Sequence, residues 1–249
     1  MKISLDLSSN KVNGICIGKP CGVLRSEDAE EEKIRNINYA ASLLGLNPQT
    51  DVVRPVQRHT ANVGIAKTIN GGSGIVRVSD FDNTDALITN EPGLGLAILH
   101  ADCGSIALYD SVRNAIAMIH SGRVGTQLNI VQNTINLMQE TYDSNPKDIR
   151  AFLSPCVCSD CYEVDEKTAA EYEKEFPPEV RSSFVSRYPD RKPHIDIEKT
   201  IIWELKNAGV PEDNIKTSGI CTCENNNFYS YRAGDKNLRN VSLLMMKRT

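Results

Sequence analysis

His59, Cys103 and His120 stand far apart in this chain, yet each falls at the end of a strand-like segment or in the turn after one. His59 lies in Gln57-Arg58-His59-Thr60. Cys103 lies in His100-Ala101-Asp102-Cys103-Gly104, after the apolar run Leu96-Ala97-Ile98-Leu99. His120 lies in Ile119-His120-Ser121-Gly122, after Ala115-Ile116-Ala117-Met118. Two imidazoles and a thiolate can hold a zinc ion and leave its fourth position open to water or substrate. At that position a bound water loses its proton near neutrality, or a leaving group is stabilised. The three residues are therefore candidate metal ligands. Small residues and glycines next to them let a ligand approach the backbone, and strand ends are where sites are usually built.

The other histidines compete poorly. His100 lies three residues before Cys103, inside the strand pattern, and alternation turns it to the opposite face. It reads as structural, or as support for the ligands. His194 precedes a helix cap in a polar stretch and reads as a surface residue. The remaining cysteines fall in two tight groups. Cys156, Cys158 and Cys161 form C-x-C-x-x-C, and Cys221 and Cys223 form C-x-C. These five thiols make a structural zinc site if the segments meet, and need no metal if they sit in small-residue turns. Cys16 and Cys21 read as small core or surface residues.

Alternating elements must position these groups. Residues 26 to 44 read as a helix capped by Ser26, with Ile34, Ile37, Ala41 and Leu44 on one face and Gly45 as its stop. Ile75 to Val78, Ala86 to Thr89, Leu96 to Leu99, Ile106 to Tyr109 and Ala115 to Ile119 read as short strands. A helix is expected from about Gly125 to Tyr142, ended by Asn145-Pro146. Further expected elements are a strand over Ile149 to Leu153, a helix over Glu166 to Glu175, and a helix capped by Asp196 and closed by Gly209 and Pro211. Ile215 to Ile220 and Val241 to Met246 complete the strands. The Pro-rich stretch from Phe176 to Pro193 reads as an insertion or loop, and Gly71-Gly72-Ser73-Gly74 as a flexible hairpin turn. With no long linker and no internal repeat, residues 1–249 read as one α/β domain.

Composition narrows the function. Hydrophobic residues make up 40% of the 249, enough for a substantial core. The net charge of −4, from 28 basic and 32 acidic residues well mixed, offers no basic face for nucleic acid. No segment approaches the roughly 18 apolar residues of a membrane span. The start, Met1 to Asp6, carries an early acid and no long apolar region, so a cytoplasmic protein with reduced thiols is expected. There is no G-x-S-x-G elbow, Walker loop or dinucleotide fingerprint.

Several strings together resemble the YfiH-like, laccase-domain family. They are Gln57-Arg58-His59, Asp85-Ala86-Leu87-Ile88-Thr89, Ala101-Asp102-Cys103, His120-Ser121-Gly122, Pro155 through Val164, Ser218 through Thr222, and Phe228-Tyr229-Ser230-Tyr231-Arg232. The resemblance runs in order over about residues 30 to 246. It implies a layered α/β/β/α sandwich, with zinc bound by His59, Cys103 and His120. Such proteins were first described as copper-dependent polyphenol oxidases. The resemblance now implies phosphorolysis of adenosine, inosine, guanosine and methylthioadenosine, with adenosine deamination as a further activity. The expected partners are a purine nucleoside and phosphate, and the expected state is a monomer. Two departures stand out. The usual His-x-Gly-Trp-Arg-Gly reads His120-Ser121-Gly122-Arg123-Val124-Gly125 here, and the early helix carries Arg35-Asn36-Ile37 where Asn-Arg is common.

On this reading Cys103, His120 and Asp102 are the candidate catalytic residues. Asp102 is either a proton carrier beside the metal or a turn-forming carboxylate. Arg123 and Arg232 are candidate phosphate contacts, because guanidinium groups match phosphate geometry. Two rivals remain. Four histidines in the whole chain cannot supply the usual multicopper ligand set, which weighs against a copper polyphenol oxidase. A cysteine hydrolase with Cys103 as nucleophile is the other.

Overall fold

The fold comes from a computed structural model in which residues 1–19 and 29–248 are described. In chain order the strands are β1 (Lys2–Ser4), β2 (Val12–Ile17), β3 (Val52–Val53), β4 (Val63–Ile65), β5 (Ala86–Thr89), β6 (Gly95–His100), β7 (Gly104–Asp110), β8 (Ala115–Ser121), β9 (Ile149–Leu153), β10 (Val185–Tyr188), β11 (Arg191–Ile195), β12 (Ile215–Thr217) and β13 (Asn240–Met246). The helices are α1 (Ala29–Leu43), α2 (Arg123–Gln127), α3 (Ile130–Tyr142), α4 (Glu166–Lys174), α5 (Pro178–Arg181) and α6 (Ile197–Asn207).

Two sheets form the centre. One has the order β1-β2-β13-β6-β3, the other β12-β9-β7-β8-β5-β4, and β10 and β11 make a separate hairpin. Strand alternation sorts side chains between layers. Ala107, Tyr109, Ile116 and Met118 of the second sheet pack with Leu96, Ile98, Leu244 and Met246 of the first. The opposite faces of β7 and β8, carrying Ile106, Leu108, Ala117 and Ile119, pack on α3 and α6 through Ile135, Met138, Ile201 and Leu205. On the other side Ile15, Ala97, Val241 and Leu243 pack on Ile37, Ala40 and Ala41 of α1. The layers are therefore α/β/β/α, as the resemblance implied. The chain passes from the first sheet to the second through Ala101-Asp102-Cys103, between β6 and β7. Cys103 thus sits at the seam of the sandwich.

Several expectations are corrected. Ile75 to Val78 is a turn, with Val76 and Val78 exposed. Gly72 (φ 79°) and Gly74 (φ 73°) curl the backbone through the left-handed region. The preceding Gly71 packs so closely that a Cβ would lie 1.8 Å from the Thr50 carbonyl oxygen, so this turn is clamped rather than flexible. The helix expected from Gly125 to Tyr142 is two helices, α2 and α3. Asn129, at φ 56° and ψ 43°, breaks it in the left-handed conformation that Asn tolerates best after Gly. Residues 176–193, read as an insertion or loop, are not a bare loop: they carry α5 and most of the β10–β11 hairpin. His194 is not on the surface: it is buried on β11, and its Nδ1 donates to the Ser159 carbonyl at 2.8 Å. Ser26 and Cys21 lie outside the described residues. No helix among the described residues is long and apolar enough to cross a membrane.

Candidate active site and metal centre

The seam brings His59, Cys103 and His120 together. Their donor atoms lie within 4.8 Å of one another, the Cys103 Sγ to His59 Nε2 distance is 3.8 Å, and the two rings meet edge to face at 5.0 Å. In a tetrahedral zinc site with bonds of about 2.0–2.3 Å, neighbouring donors stand roughly 3.5 Å apart. The residues therefore fit one cation with three protein ligands and an open position. They do not fit a multicopper set. His100 is buried against Ser242 Oγ (3.0 Å) and Cys16 Sγ (3.6 Å), and His194 is committed to Ser159, so two imidazoles remain for the site.

Local backbone features place each ligand. His59 has φ 60°. This left-handed residue helps turn three successive N–H groups, of Arg58, His59 and Thr60, onto the Asp85 carboxylate at 2.8–3.0 Å. The Gln57 amide acts like a strand segment: it donates to the Leu99 carbonyl at 2.7 Å and accepts from the Leu99 N–H at 2.9 Å, pinning the loop to β6. Cys103 follows Asp102, whose φ is 85°. Gly122 leaves room for the thiol, since a Cβ there would stand 2.5 Å from Cys103 Sγ. His120 lies within β8, opposite Ser105 of β7.

Asp85, an acid in the Asp85–Thr89 string, supports the corner from behind. Fully buried just before β5, it accepts from His120 Nδ1 at 2.8 Å. That bond leaves Nε2 for a metal and fixes the ring, as carboxylate–histidine–metal arrangements do. Burial opposes ionisation of Asp85, but the bonds from His120, Thr60 and Arg58 overcome it and hold its pKa at about 2. The signal available in the sequence was an acid directly ahead of a buried strand.

In the metal-free chain the electrostatics are those of an ion pair. Burial raises the Cys103 pKa, but His120 and His59 outweigh it and bring the thiol down to about 6. Burial likewise disfavours a charged His120, yet Cys103 and Asp85 raise it to about 9.

Around the triad opens a cleft of about 870 Å³, whose lining includes Arg54, Arg123, Arg232, Lys236 and Arg239. Both arginines expected to contact phosphate line it. Arg123 is held by Gln127 at 2.7 Å, and the Arg232 guanidinium lies 4.8 Å from the centre of the Tyr162 ring. Tyr162, which also lines the cleft, has its pKa raised by burial and by Cys103, against the pull of Arg123 and Arg232. Asp102 lines the cleft, but its carboxylate accepts from Thr222 Oγ1 at 2.7 Å and from the Arg232 N–H at 2.8 Å. On α1, where Ile37 follows Asn36 in place of the common Arg, Asn36 and Ile37 are buried and Arg35 pairs with Glu32.

Fold and site together define an α/β sandwich protein with a His–Cys–His corner, able to hold a metal, at the seam of its sheets. The chain belongs to the family described as multi-copper polyphenol oxidoreductase laccase, whose model matches residues 21–247. A purine nucleoside phosphorylase of Bacteroides thetaiotaomicron is 31% identical over 221 residues, covering 87% of this chain and 81% of that protein. Another, from Staphylococcus saprophyticus, is 29% identical over 208 residues, covering 83% and 76%. The crystal structure of Bacillus licheniformis hypothetical protein YfiH superposes with a TM-score of 0.85 at 27% identity, covering 96% of this chain and 94% of that one.

Proposed function

We propose that this protein is a zinc-dependent purine nucleoside phosphorylase acting on adenosine, inosine, guanosine or methylthioadenosine. The observation that carries this reading is the juxtaposition of the His59–Cys103–His120 corner with a wall of arginines and lysines in one cleft. The chain as a whole is acidic, so this concentration of positive charge is local, as an anionic co-substrate requires. The names of the relatives point the same way.

In phosphorolysis a phosphate oxygen attacks C1′ of the ribose. The C1′–N9 bond breaks, and its electron pair leaves with the purine, which takes up a proton. Arg123 and Arg232 bind and orient the phosphate through charge-assisted hydrogen bonds. Tyr162 keeps its proton at neutral pH and offers a hydrogen bond to the departing base. We assign Asp102 a positioning role, because both carboxylate oxygens are engaged by Thr222 and by the backbone of Arg232. Asp85 holds His120, and His59, Cys103 and His120 hold the metal. When bound there, zinc supplies a Lewis acid at an open coordination position.

Adenosine deamination needs the same corner but no phosphate site, so it would appear as inosine formed without phosphate. A second reading rests on the Cys103–His120–Asp85 chain of contacts, which is also the arrangement of a nucleophilic cysteine activated by an oriented histidine. That hydrolase would work in chelator and need no phosphate. Incubating metal-replete protein with a nucleoside panel, with and without phosphate, followed by product chromatography, separates the three. Free base and ribose 1-phosphate, formed only with phosphate, are expected. Absence of base from every purine nucleoside would sink the phosphorylase reading.

A further inference from the structure

The two remaining cysteine segments meet. Cys156 and Cys221 form a parallel β-bridge, with the Cys156 N–H donating to the Ile220 carbonyl at 3.3 Å and the Thr222 N–H to the Cys156 carbonyl at 2.9 Å. This short ladder lays C-x-x-C (Cys158 to Cys161) against residues 221–224. The sulfurs of Cys158, Cys161 and Cys221 and a carboxylate oxygen of Glu224 all lie within 4.8 Å of one another. Residues 159–161 form one turn of 3-10 helix, closed by the Cys161 N–H on the Cys158 carbonyl at 3.2 Å. The Cys158 N–H donates to Cys221 Sγ at 3.3 Å. Cys161 Sγ stands 3.8 Å from Glu224 Oε1. Buried His194 fastens the turn from behind through the Ser159 carbonyl.

We propose that Cys158, Cys161, Cys221 and Glu224 form a second, structural metal site for a thiophilic divalent cation such as zinc. Four protein donors around one point leave no open position, which is the mark of a structural rather than a catalytic zinc site. Three sulfurs select a soft or borderline cation over magnesium or calcium. The site also has something to hold. The Val157 N–H donates to the Asp102 carbonyl at 2.9 Å, and Thr222 Oγ1 donates to the Asp102 carboxylate, which also takes the Arg232 N–H. A cation clamping 158–161 to 221–224 therefore braces the turn that carries Cys103 and one of the cleft arginines. Cys156 is not among these four clustered donors; its Sγ lies instead 3.9 Å from Glu198 Oε2.

The test uses the full-length chain loaded with zinc and passed over a desalting column, with metal counted by mass spectrometry. In Cys103→Ser protein, where the first corner lacks its thiolate, one zinc per chain is expected, with a sulfur-dominated shell in X-ray absorption. Adding Cys158→Ser and Cys161→Ser should take that one to none, while Cys223→Ser should leave it in place. Because the multiple variant can fail to fold, cadmium NMR on the unmutated chain is the parallel measurement. A resonance in the range of three-sulfur coordination is expected, separate from any signal of the His59–Cys103–His120 corner. The proposal is overturned if Cys103→Ser protein binds no zinc and all its thiols titrate freely. It is equally overturned if these thiols are recovered as a disulfide in protein purified under reducing conditions, or if no sulfur-rich cadmium resonance appears. None of these results bears on whether the first corner supports phosphorolysis.

Discussion

Two corners among the described residues gather thiols, and they do so in opposite ways. At the seam a single cysteine, Cys103, meets two imidazoles, and one of these is fixed by the buried Asp85. A few residues along the chain from the same turn's partners, three cysteines meet one carboxylate on half-exposed loops. The first corner has its thiol pKa pulled down to about 6 by the neighbouring histidines. In the second, burial and the nearby Cys221 push Cys158 up to about 11 in the absence of metal. The contrast teaches that a count of cysteines says little. What distinguishes a reactive corner from a bracing one is the neutral or cationic partners around the sulfur, and whether a coordination position faces a cleft.

The comparison breaks most visibly if the seam corner is cut. Cys103→Ser or His120→Ala should lower phosphorolysis by more than about a hundredfold, a loss on the scale of removing a metal ligand or its support. Initial rates at saturating nucleoside and phosphate would show it. Activity kept within a factor of a few in either variant would mean that the corner is not catalytic. Asp85→Asn should follow, with metal affinity at this corner reduced by roughly 10–100-fold and the fold intact by circular dichroism. Competition against a chromogenic chelator, in a chain whose second corner is already silenced, reads that number.

A smaller effect is expected at the basic wall. Arg123→Ala and Arg232→Ala should each raise the KM for phosphate about tenfold, the value of one charge-assisted hydrogen bond of roughly 1.5 kcal/mol, with the KM for nucleoside little changed. Equal changes in both constants would show that these arginines shape the cleft rather than bind the anion. The mildest test changes no residue. In the metal-free chain the Cys103 thiolate persists as pH falls until about 6, and His120 keeps its proton as pH rises until about 9. The lowered thiol pKa contributes stability that is complete above its ordinary value of 9.0 and lost on descending through 6. The raised imidazole pKa contributes stability that is complete below 6.5 and lost on rising through 9. Iodoacetamide should therefore modify Cys103 with an inflection near pH 6, and added zinc should suppress the reaction. An inflection at the ordinary thiol value, unaffected by zinc, would remove the electrostatic difference between the corners.

Much of this was legible in the sequence, for physical reasons that differ by region. The buried strands β5 to β9 announce themselves because both their faces are covered, which leaves unbroken apolar runs. β2 does not, because Gly14 interrupts its pattern; a Cβ there would come within 2.9 Å of Leu244 and Leu5, so close packing excluded the residue that would have marked it. Val76 and Val78 look like strand and are exposed turn, since a local preference for extended backbone has no partner strand to pay into. The triad was readable because its residue types are rare in this chain and fall at strand ends. Asp85 was not assigned, because its role depends on backbone N–H groups some 25 residues away, which no local pattern encodes. His194 was misplaced for the same reason: polar neighbours in sequence do not reveal the hairpin that buries it.

The central claim is that the His59–Cys103–His120 corner, loaded with metal, runs phosphorolysis in the cleft beside it. Titrating zinc into chelator-stripped protein and following release of hypoxanthine from inosine in phosphate tests this most directly. The account predicts release that rises with occupancy of this corner, requires phosphate, and stays at background in Cys103→Ser protein at every zinc concentration. Release that is equally fast in stripped protein, or that continues without phosphate, would contradict it.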